Sequence, residues 1–116
     1  MRMYTYVFIR QDLSIEQQMV QIGHVCMKLG VNVPDANADT THFVLVGVRN
    51  EEALLAVESI LDSFDFDYVM FEEDKPKAHF TAIATHPIPE NRKGPLRAFN
   101  ILQVNLQSGT ATHARI

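Results

Sequence analysis

The chain has 116 residues, of which 47% are hydrophobic and 21% charged, with a formal net charge of −4. That is one domain's worth of chain with enough apolar material for a core, which excludes disorder over most of its length. Acidic residues outnumber basic ones by 14 to 10, which argues against a broad, sequence-independent grip on nucleic acid but leaves room for a local basic site.

The elements are read from hydrophobic period and punctuation. Residues 3–9, "MYTYVFI", are aromatic and β-branched on both faces and predict a central strand ending at Arg10. Ser14 opens a helix through the capping-box pattern "SIEQ". At 100° per residue, Ile15, Met19, Ile22, Gly23, Cys26 and Leu29 share one broad face, and Gln17, Gln21, His24 and Lys28 form a polar stripe opposite. The small residues Gly23 and Cys26 are expected to let this helix lie close to a sheet, and Gly30 to stop it. Residues 42–48, "HFVLVGV", predict an interior strand. Residues 50–64 predict a second helix capped by Asn50, with Leu54, Val57, Leu61 and Phe64 as its buried stripe. Strands follow over 67–73 and 79–87, joined by the turn "DKPKA", and one short helical turn is expected around Leu96–Phe99. Residues 103–116 have no apolar period and are expected to be a mobile tail after a domain spanning 1–102. The order β-α-β-α-β-β, with right-handed crossovers and a closing hairpin, implies an α/β single-domain sandwich with a four-stranded mixed sheet.

Several chemistries leave no trace in this sequence. There is no dinucleotide or phosphate-binding glycine loop, no HExxH, no CxxC and no GxSxG elbow. His24, His42, His79, His86 and His113 are scattered without ligand spacing, so neither a metal nor another cofactor is expected. Cys26, the single cysteine, excludes an internal disulfide and reads as a buried structural thiol in a reducing, cytoplasmic setting. No stretch approaches the ~20 apolar residues of a membrane span, and the N-terminus lacks the features of a signal peptide.

"YVFIRQDL", a strand ending in Arg-x-Asp-Leu, leads into a helix carrying Gln-x-x-His in "QIGH". An acidic turn follows in "FEEDKPKA", then the Thr-containing strand "FTAIATHPI" and a closing "FNIL". This series, over residues 4 to 102, resembles the type 2 peptidyl-tRNA hydrolase family. The resemblance implies a small α/β sandwich with a mixed four-stranded sheet and metal-free cleavage of the ester joining a peptide to tRNA. His24 matches the family's helix histidine. Asp74 matches its turn aspartate, with Lys-Pro where the family has Ala-Gly. Thr81 matches its threonine. The family's lysine before the helix has no counterpart, because the segment from Ser14 to Met19 contains none.

An ester hydrolase needs a base for water and donors for the developing oxyanion. His24 has the side-chain chemistry of such a base, and Asp74, if it approached, could orient the ring or act as base itself. Amides near Ser14 to Gln17 could serve an anion. Arg10, Asp12 and Gln21 are the expected substrate contacts. Arg10 could hold a phosphate or pair with Asp12. Lys75, Lys77, Arg92, Lys93 and Arg97 could meet tRNA phosphates if they gather on one side. Two other readings stand beside the hydrolase: a non-catalytic binding module on the same fold, and an esterase for another acylated substrate. A homodimer is also expected as an option, since small sheets have edges to cover.

Overall fold

A computed structural model describes residues 2–34, 37, 40–97 and 99, together with the backbone of 101–105 and 110–114. The chain runs β1 (Met3–Arg10), α1 (Ile15–Asn32), β2 (Thr41–Val48), α2 (Glu51–Ser63), β3 (Tyr68–Glu73) and β4 (His79–Thr85). This is the α/β order expected from the sequence. Beyond Thr85 it adds β5 (Ile88–Pro89), two 3-10 turns over Glu90–Arg92 and Gly94–Leu96, β6 (Ile101–Asn105) and β7 (Thr110–Ala114). The sequence predicts no strand there, because β5 pairs over two residues only, β6 is five residues long, and β7 is an edge strand, "TATHA", without a hydrophobic period.

The sheet order is β3-β4-β1-β2-β6-β7, with β5 also paired to β1. β1 and β2 are parallel from Met3↔Thr41 to Arg10↔Val48. β4 is antiparallel to both β1 and β3, so β3 runs with β1 and β2. The β1-to-β2 crossover steps one way across the sheet, and the β2-to-β3 crossover steps back. Right-handed crossovers in opposite directions place their helices on opposite faces, and α1 and α2 do cover opposite faces. Alternation along β1 then makes two cores. Tyr6 and Phe8 join Val46, Ile83, Leu54, Val57 and Leu61 under α2. Val7 and Ile9 join Val69, Ala82, Ala84, Val25 and Leu29 under α1.

Both helices start as their sequences dictate. The Gln17 amide donates to the Ser14 hydroxyl at 3.2 Å, and the Ala53 amide donates to Asn50 Oδ1 at 2.9 Å. Gly30 stays inside α1, which ends where the Val33 amide donates to the Leu29 carbonyl at 2.8 Å. α2 ends in a Schellman arrangement: the Phe66 amide donates to Leu61 O at 2.9 Å and the Asp65 amide to Asp62 O at 3.1 Å. Asp65 takes the left-handed conformation at φ 59° that this reversal needs. The reversal turns Phe66 into the core and leaves Phe64 exposed, which corrects the expected stripe.

The face of α1 also needs correction. Its buried residues are Gln18, Gln21, Val25 and Leu29, a face rotated by roughly one residue's step, ~100°, from the expected one. Met19 is 56% exposed, and Val20, Met27 and Val31 also lie in solvent. Gly23 faces open space. The small residues that admit α1 to the sheet are on the sheet itself, Ala82 and Ala84, both fully buried.

Candidate functional site

α1 lies along β3 and β4 in a seam whose polar contacts climb from one end to the other. Lys28 Nζ donates to the Met70 carbonyl at 2.6 Å. One turn earlier on α1, the His24 ring stacks on Phe71, with centroids 4.6 Å apart and planes within 3°. Next comes Gln21, which is 2% exposed. Its Oε1 accepts from the Thr81 hydroxyl at 2.8 Å, and its Nε2 donates to Glu73 Oε2 at 3.3 Å. Gln18, also buried, donates from Nε2 to the Leu13 carbonyl at 2.9 Å. The two glutamines can be buried because each side-chain amide finds partners inside the fold.

Thr81 reaches this seam through an irregularity. β3 pairs Phe71 with Ala82 but Glu72 with Phe80, so Thr81 is the extra residue of a bulge in β4. Strict alternation would put Thr81 on the α2 face with Ile83. The bulge turns it to the α1 face, where it is buried and bonded to Gln21.

Arg10 and Asp12 form a separate group at the end of β1. Arg10 Nε donates to Asp12 Oδ1 at 2.9 Å, Nη2 to Asp12 Oδ2 at 2.8 Å, and Nη1 to the Phe80 carbonyl at 3.1 Å. Glu51, at the start of α2, accepts from the Phe80 amide at 2.7 Å. The guanidinium therefore braces β1 against the beginning of β4. Its hydrogen bonds to Asp12 raise the Arg10 pKa, and the same contact holds the Asp12 carboxyl below the usual carboxylate range. A depressed carboxylate stabilises the fold above its unfolded value, ~3.9, and the contribution is lost as pH falls through the folded value. Urea unfolding at pH 6 and at pH 3 should accordingly show a larger acid loss in the wild type than in Asp12→Asn. The difference should be small, because the Asp12 side chain is 38% exposed.

The structure thus brings Gln21 and Thr81 together, sets His24 one helical turn away, and pairs Arg10 with Asp12. Asp74 follows Glu73 in the exposed turn after β3, and no hydrogen bond or ion pair joins it to His24 among the described residues. The carboxylate that touches α1 is Glu73, which sequence spacing could not pick out of the acidic run "FEED". The first-turn amides of α1 lie ~14 Å along the helix axis from His24, at 1.5 Å per residue, and so belong to a different place. The five basic residues do not gather: Lys75 and Lys77 sit in the turn between β3 and β4, while Lys93 packs on Tyr4 near the start of β1. Among the described residues no cluster of three or more His, Cys, Asp or Glu side chains could hold a metal ion. Cys26 is half-buried, and burial pushes its thiol pKa up. No helix among the described residues is long and apolar enough to cross a membrane.

No family model and no curated protein matches the sequence. The fold itself has a counterpart. The chain is similar to the solved structure of Atu0240, a protein of unknown function from Agrobacterium tumefaciens str. C58. The TM-score is 0.65 at 10% identity, over 87% of this chain and 98% of that one. At that identity the likeness speaks for the fold alone.

Proposed function

We propose that the chain is an ester hydrolase of the peptidyl-tRNA hydrolase type, working without a metal in a reducing, cytoplasmic setting. The observation that supports this reading is the bulge at Thr81. It carries a residue of the resemblance out of regular register and onto Gln21, one turn from His24, in the strand paired with the one that ends beside Asp74. His24 is exposed on the seam and open to a substrate. In the proposed reaction its free ring nitrogen takes a proton from water as the oxygen attacks the ester carbonyl. The tetrahedral intermediate expels the ribose oxygen of tRNA, and the proton returns to that oxygen. Gln21, Thr81 and Glu73 act as positioning residues that fix α1 against β4, and Arg10–Asp12 sets the end of β1.

One observation favours the non-catalytic reading. The His24 ring is held by an aromatic face, Phe71, and among the described residues no carboxylate bonds to it to fix its tautomer. Incubation with peptidyl-tRNA, beside His24→Ala, separates the two. The hydrolase reading expects release of free tRNA and a loss of about 100-fold or more in the variant, the usual scale for removing a general base. Absence of turnover in folded wild-type protein would remove peptidyl-tRNA as the substrate and leave the binding module as the better account.

A further inference from the structure

At the other end of β1, the first residues of β1 and β2 form the floor of a cavity of about 530 Å³. The parallel register sets Tyr4 beside His42 and Tyr6 beside Val44 on the α2 face. No α2 residue lines the cavity, and the segment carrying the 3-10 turns forms the wall, with Lys93, Arg97 and Phe99. Tyr4 and His42 are stacked at 5.3 Å, and Lys93 Nζ lies 3.6 Å from the centre of the Tyr4 ring. Glu90 accepts from the Tyr4 hydroxyl at 3.5 Å. Tyr6 is 6% exposed, yet its hydroxyl makes no hydrogen bond among the described residues. Burial raises its pKa, so it remains a proton donor, and Arg97 is close enough to act on it. Among the described residues the buried side-chain atom without a partner is Thr5 Oγ1, not the Tyr6 hydroxyl; Tyr6 lines the cavity, where its hydroxyl can donate to an occupant.

We propose that this cavity binds a nucleoside phosphate, either free or as the exposed end of an RNA strand. The volume lies in the range of small-ligand sites. The aromatic walls suit a planar base, as in single-strand recognition. Lys93 and Arg97 supply cations for a phosphate, Tyr6 supplies a donor, and Glu90 is placed to accept from ribose hydroxyls. The cavity shares no residue with the α1–β3–β4 seam, so the proposal stands or falls apart from the hydrolase reading.

The test is calorimetric titration of the full chain with AMP, UMP, adenosine and inorganic phosphate. The monophosphates should bind saturably, and adenosine or phosphate alone about ten-fold or more weaker, because each keeps only one half of the contacts. Tyr6→Phe should keep the wild-type melting temperature, since no hydrogen bond among the described residues holds its hydroxyl, and weaken AMP about three- to ten-fold. Lys93→Ala with Arg97→Ala should weaken it at least about ten-fold. Displacement of AMP by a six-nucleotide oligoadenylate would assign the site to an RNA end, and failure to displace it would assign the site to free nucleotides. No saturable binding of AMP or UMP to folded wild-type protein, or binding that survives both sets of substitutions, would overturn the proposal.

Discussion

Truncating Leu54 to alanine is expected to lower the free energy of unfolding by about 2–5 kcal/mol, whereas Met19→Ala should change it by less than about 0.5 kcal/mol. Leu54 is fully buried in the core under α2, wedged among Phe8, Val57 and Leu61. Removing its side chain loses the transfer free energy of the deleted carbons and leaves a space that neighbouring strands, pinned by their hydrogen bonds, cannot close. Met19 projects from α1 into solvent. Its truncation removes little buried surface, and alanine is the better helix former. Both substitutions can be read by urea unfolding with unchanged slope. A cost above about 2 kcal/mol at Met19 would mean that α1 sits on the sheet by the face its apolar residues first suggest.

The second large effect is expected at the Gln21–Thr81 contact. Gln21→Leu should cost about 1–3 kcal/mol, because it removes the buried acceptor of the Thr81 hydroxyl and the donor to Glu73 together. Thr81→Val should cost a similar amount by orphaning Gln21 Oε1. The double variant replaces both partners by apolar groups of similar shape and should recover much of the loss. Such a cycle gives a coupling of about 1 kcal/mol or more for residues in direct contact. If the two losses instead add, Thr81 is satisfied by its 3.4 Å contact to the Phe71 carbonyl, and the seam is not held together by Gln21.

The contrast between Leu54 and Met19 also shows what sequence pattern can carry. In α2 the buried residues Leu54, Val57 and Leu61 fall where its period puts them. α1 has apolar residues around most of its circumference, and period alone cannot decide which third of them touches the sheet. That choice was made by two glutamines whose amides find partners on Leu13, Thr81 and Glu73. No one-dimensional pattern records such partners. For the same reason Gln21 falls on the polar stripe in the sequence, as an expected substrate contact, and is almost wholly buried in the fold. Capping signals fared well because Ser14 and Asn50 act within three residues of themselves. The pairing of Arg10 with Asp12 is legible at that same short range. Its third contact, to the Phe80 carbonyl 70 residues away, is not. The Tyr4–His42 wall depends on the parallel register of β1 and β2, which is set only once the crossover has closed.

The bulge in β4 makes chain length, as well as residue identity, a determinant of what this molecule presents at its seam. A substitution at Thr81 exchanges one side chain and leaves every neighbour where it was. Deletion of that residue would leave Phe71 paired with Ala82 and Glu72 with Phe80 in unbroken alternation, and would remove from the α1 face the hydroxyl that donates to Gln21. Related sequences that keep a glutamine at the position of Gln21 are therefore expected to keep both the extra residue before Ala82 and a hydroxyl on it.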